Sequence, residues 1–265
     1  MTLLRILAAS VLVFCFAADS DAFLVRTFTT SSEVNQNPDA NDVLAGGTVD
    51  VWTLDTGGAG PANAGSFVGN SASNANGSAA GAGDPAWGLY ANSGQTSTAS
   101  ANVTGLMGRS LFLAGDSISL SFDNGFIDSG RSAGVRFFDS SGAQVSQLDF
   151  TGGGTNSYFL VDNAVTQTGV GFTGDGFDLT LTLDSSTGDY TFEFANQTFA
   201  ARTLAANATN IARIDVFNES AGGDGRFDVY FNNLSITAVP EFSSAMIAAP
   251  VVFGMLAGLR RSSRR

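Results

Sequence analysis

The feature that most restricts how this chain can fold is a strict alternation of apolar and polar residues. Phe177, Leu179, Leu181 and Leu183 alternate with Asp178, Thr180 and Thr182; after Asp184-Ser185-Ser186-Thr187-Gly188-Asp189 the apolar positions resume at Tyr190, Phe192 and Phe194. A period of two places every second side chain on one face of a strand, so each segment buries one face and wets the other. The residues between the two segments are turn formers, which makes the pair a hairpin. Ile118, Leu120 and Phe122 alternate in the same way with Ser119, Ser121 and Asp123. Gly134 to Phe138 and Ala143 to Phe150 flank the turn Asp139-Ser140-Ser141-Gly142, and Ile211 to Phe217 and Phe227 to Ile236 supply two late strands. No segment between the chain ends keeps a helical period for more than a turn or two. Many short antiparallel strands at this spacing predict one all-β domain over residues 23–238, a two-sheet antiparallel jelly-roll sandwich. Within it, residues 56–84 are mostly Gly, Ala, Asn and Ser, which predicts a long loop.

Both ends have a different character. Arg5 precedes the apolar run Ile6 to Phe16, and small residues at Ser20 and Ala22 stand at the spacing for cleavage before Phe23. Residues 1–22 are therefore expected to be a secretory signal peptide read by the translocon, with a cut after Ala17 or Ala18, or retention as an N-terminal anchor, as alternatives. At the other end, residues 242–259 carry no charge, the length of a short membrane helix, and Arg260, Arg261, Arg264 and Arg265 follow. Such a basic cluster stays on the cytoplasmic side and orients everything upstream outward.

The order Val239-Pro240-Glu241-Phe242-Ser243-Ser244, then an apolar segment, then an Arg-rich terminus resembles the PEP-CTERM sorting signal of Gram-negative bacteria that make extracellular polysaccharide. The resemblance covers residues 239–265. It implies an exosortase that recognises Val239, Pro240, Glu241 and Phe242 and cleaves nearby. In that family the motif reads Pro-Glu-Pro, and Phe242 stands where its second proline does, so retention as a membrane-anchored protein also stays open.

Charge narrows the partners. The sequence has no Lys and no His, and between residues 23 and 238 seven arginines face twenty-one carboxylates. A domain of that sign repels phosphate backbones, which excludes nucleic acid as a partner and leaves cations and neutral or basic polymers. The single cysteine, Cys15, lies in the N-terminal apolar run, so the exported domain forms no disulfide. Without His, Lys or a mature thiol, the usual base, amine and sulfur nucleophile are missing. Carboxylate chemistry remains, but Glu33, Glu193 and Glu219 form no acidic motif, so the domain is expected not to be an enzyme and a glycan hydrolase ranks last. Oxygen-rich turns offer Asp184, Asp189 and Asp224 to calcium, although the same residues suit any tight turn. Trp52, Trp87 and Tyr90 are the candidate rings for stacking on sugars.

Trp87 to Gly94, Thr151-Gly152-Gly153-Gly154 and Asp228 to Leu234 also resemble segments of concanavalin A-like and laminin G-like sandwiches. That fold serves lectins, glycosidases and spacers alike, so it does not fix a function. The expected protein is an exported envelope or matrix component whose sandwich is a structural or adhesive unit in extracellular polysaccharide. A calcium-dependent carbohydrate-binding module is the second expectation.

Overall fold

The computed structural model describes residues 24–28, 51–70, 86–92, 94–154 and 156–241; the signal segment 1–22 and the apolar segment with its Arg-rich end, 242–265, lie outside them. The alternating segments form two antiparallel sheets. Sheet I runs, in spatial order, β13 (Gln197–Thr203), β12 (Asp189–Phe194), β11 (Phe177–Leu183), β6 (Ser117–Asn124), β15 (Val229–Ala238), β4 (Ala86–Ala91) and β3 (Ala64–Gly69). A further strand, β1 (Leu24–Phe28), pairs with the far end of β15, Leu24 opposite Ala238. Sheet II runs β10 (Val165–Gln167), β9 (Tyr158–Val161), β8 (Gln144–Thr151), β7 (Ser132–Phe138), β14 (Arg213–Glu219), β5 (Thr96–Asn102) and β2 (Trp52–Asp55).

The sheets face each other across one core. Ile118, Leu120 and Phe122 of β6, the leucines of β11, and Ile214 and Val216 of β14 are all buried in it, so the period-two positions are the inward ones. Aromatic rings bridge the layers: Phe137 of sheet II meets Phe192 of sheet I edge-on at 6.1 Å, and Tyr158 meets Phe177 at 5.2 Å. Polar side chains also tie the sheets. Tyr190 of β12 donates to Asp162, at the β9–β10 turn, at 2.8 Å, and Arg202 of β13 holds the same carboxylate at 2.7 Å. Tyr158 donates to Asn124, and Asn218 of β14 donates to the Leu89 carbonyl of β4 at 3.2 Å.

One short helix, α1 (Val103–Met107), carries the chain from β5 toward β6. The Asn102 side chain accepts from the Gly105 N–H, and Gly108 closes the helix at φ 78°. The expected loop 56–84 is partly a strand: Ala64–Gly69 is β3, paired with β4, and residues 71–85 lie outside the described residues. β3 was hidden because it is built around close approaches. A Cβ on Gly65 would stand 2.5 Å from the Tyr90 hydroxyl, and one on Gly88 would stand 2.4 Å from the Phe67 ring. Among the described residues no helix is long and apolar enough to cross a membrane.

Candidate functional site

The structure separates the residues singled out by sequence. Trp52 and Trp87 are fully buried, packed edge-on at 5.7 Å with Phe231 against both. Neither can stack on a sugar; they belong to the core because their positions in β2 and β4 are inward ones. Tyr90 points to the other face of β4, where it lies half-buried beside Phe67 and donates to the Pro61 carbonyl. The three proposed calcium aspartates are not brought together either. Asp184 and Asp189 close the β11–β12 hairpin, where Asp184 accepts from Thr191 and Asp189 accepts from Ser185, Thr187 and Thr203. Those hydroxyl bonds hold Asp189 below the usual carboxylate range. Asp224 instead caps a 3-10 turn, Gly225–Phe227, and is paired with Arg226 at 2.8 Å, which lowers its pKa. Among the described residues no three metal-ligating side chains come together.

A different set of residues converges at one end of the sandwich. The loop after β6 and the loop before β15 are joined rung by rung: Gly125 N–H donates to the Asp228 carbonyl at 2.9 Å, Phe126 to Arg226 at 2.8 Å and Asp128 to Ala221 at 2.7 Å. The Gly-rich segment 151–154 packs beneath. A Cβ on Gly152 would stand 2.1 Å from the Ile127 carbonyl, so only glycine allows these backbones to meet. On this rim the Phe126 ring stacks on Phe172, centroids 5.6 Å apart with planes 20° from parallel. Phe172 in turn abuts the core ring of Phe150 at 5.7 Å.

Where these two loops leave β6 and enter β15, sheet I carries an acidic group. Asp123 of β6 stands directly opposite Tyr230 of β15, and Gly88 flanks Tyr230 on its other side. Asp228 precedes Tyr230 by two positions, just before β15 begins, and its charge acts on the Tyr230 hydroxyl. Asp123, Asp228 and Tyr230 are all buried, and no described residue donates a hydrogen bond to the Asp228 carboxylate. Burial, with the Asp224 charge added, pushes the Asp228 carboxyl up to about 7. Tyr230, its hydroxyl buried with no hydrogen-bond partner among the described residues, is pushed well above its ordinary value by burial and by the charges of Asp228 and Asp123. This end of the sandwich therefore carries two features: an aromatic plate with exposed carboxylates on the flanking segments, and a buried carboxyl able to carry a proton near neutral pH. Sequence reasoning missed Phe126, Phe172 and Asp228; the available signal was a lone large ring between glycines, as in Gly171-Phe172-Thr173-Gly174.

The sequence matches no family model and no curated protein. Solved structures with similar folds include the Crh5 transglycosylase, at 13% identity and TM-score 0.47 over 82% of this chain and 85% of that one. Another is the alginate lyase from Alteromonas sp. 272, at 9% identity and TM-score 0.41 over 72% and 95%. The Bacillus licheniformis β-glucanase matches at 9% identity and TM-score 0.38 over 60% and 79%, and a sialidase matches over only 16% of its own length. At such identities the likeness bears on the fold alone. Those similar sandwiches include a transglycosylase, lyases and a glucanase, so the expectation of a non-enzymatic domain is not kept, while the activities named are those of the other proteins.

Proposed function

We propose that this is an exported cell-envelope protein, delivered by the secretory translocon, sorted by an exosortase through its tail, and associated with extracellular polysaccharide through its sandwich. The observation that carries the sorting is the three-part tail: Val239-Pro240-Glu241-Phe242, an uncharged stretch to Leu259, and Arg260, Arg261, Arg264 and Arg265. The compact unit supports it, since it runs from Leu24 to Ala238. A cut before Phe23 and a cut within 239–242 would both fall outside that unit and leave every sheet pairing whole. Pro240 also keeps the residue before it extended, so a protease can bind the segment as a strand. The carbohydrate side is supported by the rim, where an exposed ring lies among exposed carboxylates.

In a strain with the exosortase, mass spectrometry of envelope fractions is expected to find the domain without Phe242–Arg265. Deleting the enzyme should leave the full tail on a membrane-bound form, and Phe242→Pro, which restores the Pro-Glu-Pro order, should process at least as well as the natural tail. Full-length tail in both strains would make this a plain C-terminal anchor and refute sorting.

A further inference from the structure

We propose that Phe126, seated on Phe172, is a docking plate for one sugar ring of a neutral polysaccharide. The proposal rests on the polysaccharide reading above and names the place and the class of glycan. Among the described residues the exposed large hydrophobics are Leu24, Val25, Val68, Phe126 and Val165, and Phe126, at 47% exposure, is the aromatic one. Its exposure is not that of a loose loop. One face is occupied by Phe172, which is braced by Phe150, and Phe150 in turn meets Tyr158 at 5.1 Å in the core. The Phe126 N–H is bonded to Arg226, and the neighbouring residues are bonded to Asp228 and Ala221. A ring fixed in this way has already lost the freedom that binding would otherwise remove.

The surroundings decide the occupant. An aromatic face carries negative quadrupole charge, which suits the weakly positive C–H face of a pyranose. Asp128, Asp175 and Asn156 are exposed on the flanking segments, the last lying against Gly171, and supply hydrogen-bond acceptors and an amide for sugar hydroxyls. The excess of twenty-one carboxylates over seven arginines repels uronate or sulfated chains, so a neutral glycan fits and an anionic one does not. A protein partner would need on the order of 1,000 Å² of buried surface. One projecting ring matches one sugar instead.

The test is retention of the full-length protein, in mild detergent, on insoluble cellulose, curdlan and chitin, with alginate beads as the anionic probe. Wild type is expected to be retained by at least one neutral polymer and not by alginate. Phe126→Ala should weaken that retention about tenfold while melting close to wild type, and Phe126→Trp should restore it. Undiminished retention of Phe126→Ala would overturn the plate and leave the polysaccharide reading standing. Preference for alginate would overturn the neutral class, and wild type retained by none of the polymers would overturn both the plate and the association with polysaccharide, leaving tail sorting untouched.

Discussion

Replacing Asp228 by asparagine is expected to stabilise the protein at pH 8 by about 4 kcal/mol and to leave it almost unchanged at pH 4. The residue is 8% exposed, and its carboxyl carries no hydrogen bond from any described residue. The charged groups around it do not compensate. Asp224 raises its pKa, Arg226 is already held by Asp224 at 2.8 Å, Asp123 lies on the adjoining strand, and Tyr230 is neutral in this range. Folding therefore favours the protonated form, with a folded pKa of about 7 against an ordinary value of 3.8. A carboxyl raised in this way contributes its full stability below the unfolded value and loses it as pH rises through the folded one. The loss accumulates between about pH 4 and pH 7, at ~1.36 kcal/mol per pH unit.

The asparagine side chain keeps the shape and cannot ionise, so the difference between variant and wild type isolates this group from other carboxyls. That comparison matters because burial also raises Asp149 and Asp215, while turn hydrogen bonds lower Asp139. For a domain of this size the gain corresponds to a melting temperature on the order of 10 °C higher at pH 8. Circular dichroism melts at pH 4 and pH 8 measure it. A variant no more stable than wild type at pH 8 would mean that Asp228 has a compensating partner. Groups that lower stability concentrate where a protein binds or reacts, and the backbone carbonyl of this residue accepts from Gly125, the residue before Phe126.

How much of this was legible in the sequence depended on the range of the interaction. The β11–β12 and β7–β8 hairpins were readable because a strand, a turn and a strand are contiguous, and period two marks their faces. The destination of β14 and β15 was not. They follow one another in the chain yet lie in opposite sheets, with β14 between β7 and β5 and β15 between β6 and β4. Only long-range pairing decides that. The two tryptophans show a signal that was present and underused. In Trp87-Gly88-Leu89-Tyr90 the alternation already puts Trp87 with Leu89 on one face and Tyr90 on the other. Trp87 and Tyr90 were therefore never able to share a binding face on one regular strand. Phe126 and Phe172 were beyond such reasoning, because both stand in loops where no period applies and their stacking comes from the Gly152 close approach and the backbone bonds of the rim.

The other large effect is expected at Arg109, where alanine should cost about 3–5 kcal/mol. The segment from α1 to β6 carries the chain from sheet II to sheet I, and its course is set by Asp116, whose side chain is fully buried. That carboxylate accepts from the Arg109 guanidinium at 2.7 and 2.9 Å, and from the backbone N–H groups of Phe112 and Leu113 at 2.8 and 2.9 Å. Its own backbone is tied to β11, with the Leu183 N–H donating to the Asp116 carbonyl at 2.9 Å. The two-pronged Arg–carboxylate geometry is the strong form of the bond, and the buried charge has to be neutralised. Removing the arginine takes a two-pronged cation away from a fully buried carboxylate, and that loss is the main cost. The double variant Arg109→Ala, Asp116→Asn should therefore recover part of the loss, because the amide still accepts from the backbone and carries no charge. Urea unfolding at pH 7 separates the cases. A loss under about 1 kcal/mol in Arg109→Ala would remove the ion pair as an anchor of the crossing. A double variant no better than the single one would assign the loss to the guanidinium's contacts, which include the Ser110 carbonyl at 2.9 Å and the face of Phe112 at 5.0 Å, rather than to the buried charge.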